Sequence, residues 1–377
     1  MSAYLDNSAT TKPTKEVADK IYEMLTVKFG NPSSFHKEGL EANYEVRNAR
    51  EKIAKTLSCD ADEIIFTSGG TEANNLAIFG AAAAGKRKGN RIVTTAIEHE
   101  SIIEAVDELE KQGFEVIKLT PNEYGNITEK QIFEAVNSDT ILVSMMYINN
   151  EVGSILPVKA IKKAVKRANA PALIHIDCVQ AYGKIEIKPS KIGADMVTIT
   201  AHKIHGPKGA GALYIKKGTR IVPRTFGGEQ ERKIRPGTEA APLIAGFGVA
   251  AAQIPDLKEL SEKMHELNSY ARKTLEAIDG VKINNPDTSS DYILNVYMPT
   301  FMTSQTIVQH LSGKYGIYVS NGSACAKGKK SHVLTAMKLG DKVIEKSIRI
   351  SFGRTNTKED VDELAQAIKE TIRDYPI

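Results

Sequence analysis

Two charged residues follow predicted strands, where they could act on a bound ligand. Asp177 ends the apolar segment 172–177, and Lys203 comes shortly after the segment 197–200. In open α/β folds the carboxyl ends of the strands line the crevice that binds ligands. A lysine there can form an imine when burial or neighbouring cations activate it. Each residue also has a purely structural interpretation. A buried Asp can form its hydrogen bonds with nearby groups of the protein, and a lone Lys is usually a solvated surface charge.

A turn of small residues could hold a phosphate. The sequence FTSGGTE at 66–72 places this turn between a predicted strand and a predicted helix. Backbone N–H groups at a helix start, together with the hydroxyl of Thr71, suit phosphate oxygens. An ordinary glycine turn with a Thr cap accounts for the same residues equally well.

Taken together, these features are the parts that pyridoxal phosphate requires. The lysine forms the imine, and the Asp keeps the pyridine nitrogen protonated, so that the ring can accept electrons from the α-carbon of the substrate. A flat side chain is expected over the ring face. His99 follows a predicted strand and lies at the same end of the predicted sheet. We therefore predict a pyridoxal phosphate site that contains Lys203, Asp177 and His99.

One of the three cysteines lies in a segment that favours reactivity. Cys325 is within a Gly/Ser/Lys-rich loop, and its neighbours Lys327, Lys329 and Lys330 favour the thiolate. Cys59 lies in a predicted turn and Cys178 follows a buried strand, so structural roles are expected for both. The odd number and the wide spacing of the cysteines predict no disulfide framework and no CxxC zinc site.

Two other motifs are interpreted as chance matches. The segment 80–86 imitates a phosphate-binding P-loop, but Arg87 stands where that motif needs Ser or Thr, and the segment ends a helix instead of opening one. His202 and His205 have the spacing of a metal pair, yet no third ligand accompanies them at a recognisable spacing. No metal site is predicted.

The elements that must position these residues alternate between strands and helices. Strands are predicted at 63–66, 91–95, 114–119, 140–147, 173–177, 196–200 and 211–215, and helices at 71–84, 101–112, 128–136 and 158–168. This alternation predicts an α/β fold with a mostly parallel sheet covered by helices. After about residue 255 the pattern changes to helices at 257–278, 304–314 and 358–374 with strands at 292–297, 317–320 and 347–351. That mixture predicts a smaller α+β domain.

Composition excludes several classes of protein. The 377 residues are 41% hydrophobic and 25% charged, which is typical of a globular protein. No apolar run reaches the roughly 18–20 residues of a membrane span. Lys and Arg exceed Asp and Glu by only four, and Trp is absent, so nucleic-acid binding is not expected. The start of the sequence resembles no signal peptide, and the cysteine usage fits a reducing compartment, so a cytoplasmic location is predicted.

The ordered set of motifs resembles the cysteine desulfurases of the class V aminotransferase family, which are fold type I enzymes dependent on pyridoxal phosphate. The resemblance covers nearly the whole chain. Its blocks are YLDNSATT at 4–11, GNPSS at 30–34, FTSGGTE at 66–72, Glu98-His99, INNEVG at 148–153, HIDCVQ at 175–180, AHKIHGPKG at 201–209, RPGT at 235–238, GSAC at 322–325 and SIRIS at 347–351.

The resemblance implies a role for each matching position. Lys203 would bind the cofactor covalently, Asp177 would pair with the pyridine nitrogen, Gln180 would hydrogen-bond the phenolic oxygen, and His99 would stack on the ring and move protons. The phosphate would be held by Gly70, Thr71, Thr200 and His202. Thr238 of a neighbouring subunit would also reach it, which implies a homodimer. Asn150 would contact the cofactor and, with Arg349, would bind the substrate carboxylate. Cys325 would attack the sulfur of the substrate.

The implied activity converts L-cysteine to L-alanine, leaves a persulfide on Cys325 and passes the sulfur to an acceptor protein. The segment after Cys325 is short and basic, and it resembles the desulfurases that serve tRNA thiolation more than those of general iron–sulfur cluster assembly. A selenocysteine lyase or another class V aminotransferase or lyase is the alternative, although an aminotransferase needs no loop thiol. The implied division is a large cofactor domain at 15–257 and a small domain formed by 1–14 and 258–377.

Overall fold

The structure is a computed structural model that describes residues 2–322 and 330–377. Its strands, in chain order, are β1 Ala3–Tyr4, β2 Ile64–Thr67, β3 Arg91–Thr95, β4 Glu115–Leu119, β5 Thr140–Met146, β6 Leu173–Asp177, β7 Met196–Thr200, β8 Gly211–Ile215, β9 Lys282–Ile283, β10 Ile293–Tyr297, β11 Ile317–Tyr318 and β12 Ser347–Ser351.

The helices surround these strands. In chain order they are α1 Lys15–Thr26, α2 Lys37–Leu57, α3 Gly70–Gly85, α4 Glu100–Lys111, α5 Glu129–Ala135, α6 Lys159–Arg167, α7 Pro189–Ile192, α8 Ala241–Ala252, α9 Leu257–Glu276, α10 Ser304–Tyr315, α11 His332–Ala336, α12 Asp341–Glu345 and α13 Lys358–Asp374. The sequence patterns gave no prediction for helices α1, α2 and α8, and in the structure α1 and α2 both pack on α8. A Cβ at Gly248 would lie 2.6 Å from Cα of Ala49, so α8 approaches α2 closely because that side chain is absent.

The main sheet has seven strands in the order β2-β8-β7-β6-β5-β3-β4. Strands β7, β6, β5, β3 and β4 are parallel, and β8 runs antiparallel to both β2 and β7. All seven residues of β5 are buried, as the continuous apolar run indicated. The predicted α/β fold with a mostly parallel sheet is confirmed.

A three-stranded antiparallel sheet, β12-β10-β9, is formed by the C-terminal part of the chain. The N-terminal arm joins this part, because β1 pairs in parallel with β11 and Asp6 forms a bridge to Ser351. The division of the chain at 15–257 stays a prediction. Within residues 2–322 and 330–377, no helix is both long enough and apolar enough to cross a membrane.

Candidate active site

The central residues of the site lie at or just after the ends of two neighbouring parallel strands. Asp177 is the last residue of β6, and Thr200 is the last residue of β7. The register pairs Asp177 with Thr198, so the two strands end side by side. Lys203 follows in a short 3₁₀ turn, Ala201–Lys203. The carboxyl ends of parallel strands lie at one edge of a sheet, so residues that are far apart in sequence line the same crevice.

A cavity of about 280 Å³ lies at this edge and brings most of the predicted site residues together. Those that line it are Gly70, Thr71, His99, Asn150, Asp177, Gln180, Thr200, His202, Lys203 and Arg349. Thr238 does not line it and is exposed on the surface of the chain. Cys325 lies outside the described residues.

Asp177 is held in one orientation by two hydrogen bonds. Its Oδ1 accepts from the backbone N–H of Val179 at 2.8 Å, and its Oδ2 accepts from Nδ2 of Asn74 on α3 at 2.8 Å. Burial raises the pKa of Asp177, while these hydrogen bonds and the nearby His99 and Lys203 act in the opposite direction. A fixed, buried carboxylate of this kind suits a cationic N–H group, which would favour its charged form.

His99 caps the N-terminus of α4. Its Nδ1 accepts from the backbone N–H of Ser101 at 3.1 Å and lies 2.9 Å from the hydroxyl of Ser101. Because Nδ1 accepts a hydrogen bond, the neutral ring carries its proton on Nε2. Burial lowers the pKa of His99, with the positive charge of Lys203 contributing and Asp177 opposing. A neutral imidazole with its proton on Nε2 can donate that proton to a ligand in the cavity and then take one back.

Asn74 connects these two residues. Its Nδ2 donates to Asp177 and also to the hydroxyl of Ser101 at 2.9 Å. That hydroxyl can therefore donate its own proton to Nδ1 of His99, which agrees with the tautomer above. The sequence gave no signal for Asn74, since its position on α3 is two residues beyond the recognised motif.

Lys203 is held by the N-terminal arm. Its Nζ donates to the backbone carbonyl of Ala9 at 2.8 Å and to that of Ser8. Burial lowers the pKa of Lys203 to about 7, and the charges of Arg349 and Lys184 act in the same direction. A lysine with this pKa is a substantially neutral amine near pH 7, which is the nucleophilic form. Lys208, the nearby alternative, is exposed and does not line the cavity.

The turn at 67–71 opens helix α3 at the cavity. Gly69 occupies the cap position with φ +156° and offers no capping side chain to the first N–H groups of the helix. A Cβ at Gly211 would lie 2.7 Å from Cα of Gly69, so strand β8 passes close behind the turn. The uncapped N–H groups at the start of a 16-residue helix suit a phosphate. Burial lowers the pKa of His202 to about 3, so this ring is a neutral hydrogen-bonding partner.

Arg349, on β12, is 2% exposed and reaches the cavity from the C-terminal part of the chain. Its Nη2 pairs with Oδ1 of Asp6 at 2.8 Å, and its Nη1 donates to the backbone carbonyl of Asn150 at 2.9 Å. These contacts fix the guanidinium, which suits bidentate recognition of a carboxylate. Arg354, by comparison, donates to the carbonyl of Gln253 and does not line the main cavity.

Several buried polar atoms at the cavity fit a polar ligand. Among the residues that the structure describes, Oγ of Ser8, Oδ1 of Asn74, Oδ1 of Asn150 and Nε of Arg349 have no hydrogen-bond partner. All four residues line the cavity. Since buried polar groups are normally paired, unpaired atoms around one cavity indicate a missing partner. Together with Lys203, Asp177 and the start of α3, they fit pyridoxal phosphate.

Two buried carboxylates near the cavity were not predicted. Glu98 accepts from the hydroxyl of Thr95 at 2.7 Å and from the N–H of Met146 at 2.8 Å, and burial raises its pKa to about 8. Glu151 accepts from the hydroxyl of Ser331 at 2.6 Å, and burial raises its pKa. Both residues belong to recognised motifs, which was the only signal that the sequence offered.

Cys59 and Cys178 do not have the environment of a reactive thiol. Burial raises the pKa of Cys59 to about 12, and it raises the pKa of the fully buried Cys178 well above its ordinary value. Lys327 and Lys329, like Cys325, lie outside the described residues. Lys330 is described, and its ammonium pairs with Asp341 at 3.0 Å and with Glu345 at 3.1 Å.

The segment that carries Thr238 is fastened near the phosphate turn. Nε of Arg235 pairs with Oε1 of Glu72, in the first turn of α3, at 2.8 Å. Thr238 itself points to the surface of the same chain. As for metals, the described ranges hold no group of three or more His, Cys, Asp or Glu residues that could bind one.

Comparisons with known proteins agree with this geometry. The family model described as aminotransferase class-V matches residues 3–364. The cysteine desulfurase IscS of Methanosarcina thermophila is 39% identical over 377 residues, which is 99% of this chain and 92% of that protein. The putative cysteine desulfurase IscS 1 of Bacillus subtilis (strain 168) is 39% identical over 377 residues, which is 98% of each.

Solved structures give the same result. A NifS-like protein superimposes with a TM-score of 0.92 at 37% identity over 99% of this chain and 100% of that one. The structure described as SspA in complex with cysteine gives a TM-score of 0.82 at 32% identity, covering 94% of this chain and 100% of that one. The chain therefore belongs to the class V aminotransferase family. Within that family it is a member of the cysteine desulfurases, which confirms the resemblance and disfavours the other family activities.

Proposed function

We propose that this protein is a pyridoxal phosphate-dependent cysteine desulfurase that converts L-cysteine to L-alanine and transfers the sulfur to Cys325. The observation that supports the proposal most is the meeting of Lys203, Asp177 and His99 around one cavity with the uncapped start of α3. When bound, pyridoxal phosphate supplies an electron-accepting ring next to the α-carbon of the substrate. The remaining chemistry is assigned to side chains of this protein.

Each side chain has one task in the proposed reaction. Lys203 would hold the cofactor through its neutral amine, and Asp177 would pair with the pyridine nitrogen. Gly70, Thr71, Thr200 and His202 bind the phosphate, and Gln180 binds a ring oxygen. Asn150 and Arg349 fix the substrate carboxylate. His99 gives up a proton from Nε2 and takes it back there, since its Nδ1 accepts a hydrogen bond from Ser101.

Cys325 is the proposed sulfur acceptor. Its thiolate attacks the sulfur of the substrate, the S–S bond of a persulfide forms, and the C–S bond breaks with its electron pair moving to the carbon side. A proton then completes L-alanine. The raised pKa values of Cys59 and Cys178 support this choice, because only a thiolate is an effective nucleophile.

The protein is further proposed to act as a cytoplasmic homodimer that delivers sulfur to an acceptor protein. Thr238 would serve the phosphate of the neighbouring subunit, which is compatible with its exposure and with its absence from the lining of the cavity of its own chain. The acceptor would serve tRNA thiolation or iron–sulfur cluster assembly.

A single assay tests the proposed reaction. The purified protein should be yellow, and with L-cysteine and a reducing thiol it should release L-alanine and sulfide in equal amounts. Lys203→Ala should abolish both products, whereas Lys208→Ala, the matched control, should keep them. Borohydride should fix the pyridoxyl group to Lys203. A label on Lys208, or the absence of alanine, would contradict the proposal.

A further inference from the structure

Lys184 is a second buried lysine beside the candidate active site, and the proposed reaction gives it no task. Only 7% of its surface is exposed. Its Nζ donates to Oε1 of Gln180 at 2.9 Å and lies 5.3 Å from the centroid of the Tyr292 ring. A buried ammonium is costly unless hydrogen bonds or an aromatic face compensate it. The Gln180 amide is thus part of what holds Lys184 in place.

The backbone places Lys184 for this contact. It lies four residues after Gln180 in a turn in which its N–H donates to the carbonyl of Ala181 at 3.0 Å. Gly183 precedes it with φ +74°, and a Cβ there would lie 2.7 Å from Cγ2 of Ile204. This close approach packs the turn against the residue that follows Lys203.

Together with the carbonyl of Ser8, the contact fixes which way the Gln180 amide faces. An ammonium has three donors and no acceptor, so the partner of Lys184 must be the carbonyl oxygen of the amide. The NH₂ group is then directed away from Lys184, and in the structure it donates to the carbonyl of Ser8 at 2.9 Å. Gln180 and Ser8 both line the cavity. The NH₂ group has a second N–H, which is left to donate to a ligand in the cavity.

We propose that Lys184 is a positioning residue for the cofactor site, because it fixes the Gln180 amide with its NH₂ group available to an oxygen of pyridoxal phosphate. The inference rests on the proposed function and adds a residue to it. Without Lys184, the amide can rotate and present its carbonyl oxygen to the cavity. An acceptor would then face a cofactor oxygen, and a hydrogen bond would become a repulsive contact.

A second effect of Lys184 must be separated from this one. Its charge also lowers the pKa of Lys203, after burial and the charge of Arg349. Burial, with a smaller effect of Arg349, lowers the pKa of Lys184 itself to about 7. A neutral amine would keep two N–H donors for the Gln180 carbonyl but would gain a lone pair, so it is the protonated Lys184 that excludes the reversed amide. A measurement that depends on Gln180 is needed to distinguish the two effects of Lys184. One is the orientation of the Gln180 amide, and the other is the direct effect of the Lys184 charge on Lys203.

The test combines Lys184→Met with Gln180→Leu in a double-mutant cycle. The apoprotein of each variant is titrated with pyridoxal phosphate, and the dissociation constant and the wavelength of the visible band are recorded. Each single variant should weaken binding roughly tenfold, which corresponds to about 1.4 kcal/mol. The double variant should bind no more weakly than Gln180→Leu, because both changes remove the same interaction. Lys188→Met, at a lysine that pairs with Glu186, should leave both readings unchanged.

Lys184→Arg is the second variant, and it remains informative if Lys184→Met does not fold. A guanidinium also donates without accepting, and an adjoining cavity of about 40 Å³, lined by Lys184 and Tyr292, leaves room for it. Lys184→Arg should keep the wild-type band. Additive losses in the cycle, or a Lys184→Met protein that matches wild type, would overturn the inference alone. A wild-type protein that does not bind pyridoxal phosphate would overturn the proposed function as well.

Discussion

The buried carboxylate of Glu151 accepts a hydrogen bond from the hydroxyl of Ser331 at 2.6 Å, and its Oε2 also lies beside Gly322, where a Cβ would approach it to 2.9 Å. Gly322 precedes the segment 323–329, and Ser331 follows it closely. On one side of residues 323–329 Gly322 thus lies next to the Glu151 side chain, and on the other side Ser331 is hydrogen-bonded to it.

This relationship predicts the effect of Ser331→Ala. The variant loses a hydrogen bond to a buried acidic group and also the cap of α11, where Oγ of Ser331 accepts from the N–H of Leu334. An ordinary hydrogen bond contributes about 0.5–1.5 kcal/mol, and a cap about 1 kcal/mol. Alanine production should fall several-fold while cofactor binding persists. Thr303→Ala, which removes the cap of α10 and an exposed contact with the Thr306 hydroxyl, is the control for thermal unfolding. Equal losses of stability in the two variants would argue against the Glu151 contact.

Cys325→Ala should separate cofactor chemistry from sulfur transfer. The variant should bind pyridoxal phosphate and L-cysteine with the wild-type absorption changes, yet release neither alanine nor sulfide. Cys178→Ala should remain active, because burial holds the pKa of that thiol well above its ordinary value. Spectra and product analysis of the two purified variants are sufficient. Full turnover by Cys325→Ala would show that another group accepts the sulfur.

Arg349→Lys should raise the KM for L-cysteine by an order of magnitude or more. A lysine keeps the charge but loses the planar fork, and it cannot maintain the contacts to Asp6, Asn150 and a carboxylate at once. The loss of one charge-assisted hydrogen bond costs about 1.5–3 kcal/mol. Arg354→Lys, outside the main cavity, is the matched control and should change KM only slightly. Steady-state kinetics that gave the reverse order would refute the assignment.

The burial of His175 should make the free energy of unfolding fall in acid. It is fully buried between the hydroxyls of Ser144 and Thr198, and burial lowers its pKa from 6.5 to about 3. Between these two values the unfolded chain binds a proton that the folded chain does not, so stability falls as the pH is lowered from about 6.5 towards 3. His175→Gln should unfold more easily at pH 7, since it loses hydrogen bonds, but should lose less further stability between pH 6.5 and 5. Denaturant unfolding at both pH values measures this, and equal pH slopes would contradict it.

Much of the fold could be predicted because the sequence pattern within each of these strands and helices indicates its type and its bounds. The strands at 91–95, 173–177, 196–200, 211–215 and 347–351 and the helix at 358–374 have the predicted bounds. Other elements were displaced by one or two residues, as with β5, which ends at Met146 and not at Tyr147. Helix α8 was not recognised because it is apolar on nearly all sides and gives no amphipathic period.

The sequence by itself determined the identities of the reactive groups and their order along the chain. Motif spacing identified Lys203, Asp177 and His99, and the loop composition singled out Cys325. Only the tertiary structure decided which other groups lie beside them. Asn74 joins Asp177 to His99, Lys184 orients Gln180, and Ser8 and Ala9 hold Lys203 across more than 190 residues of sequence. Contacts of this kind depend on burial and on the meeting of separate strand ends and helices, and no local pattern in a single sequence encodes them.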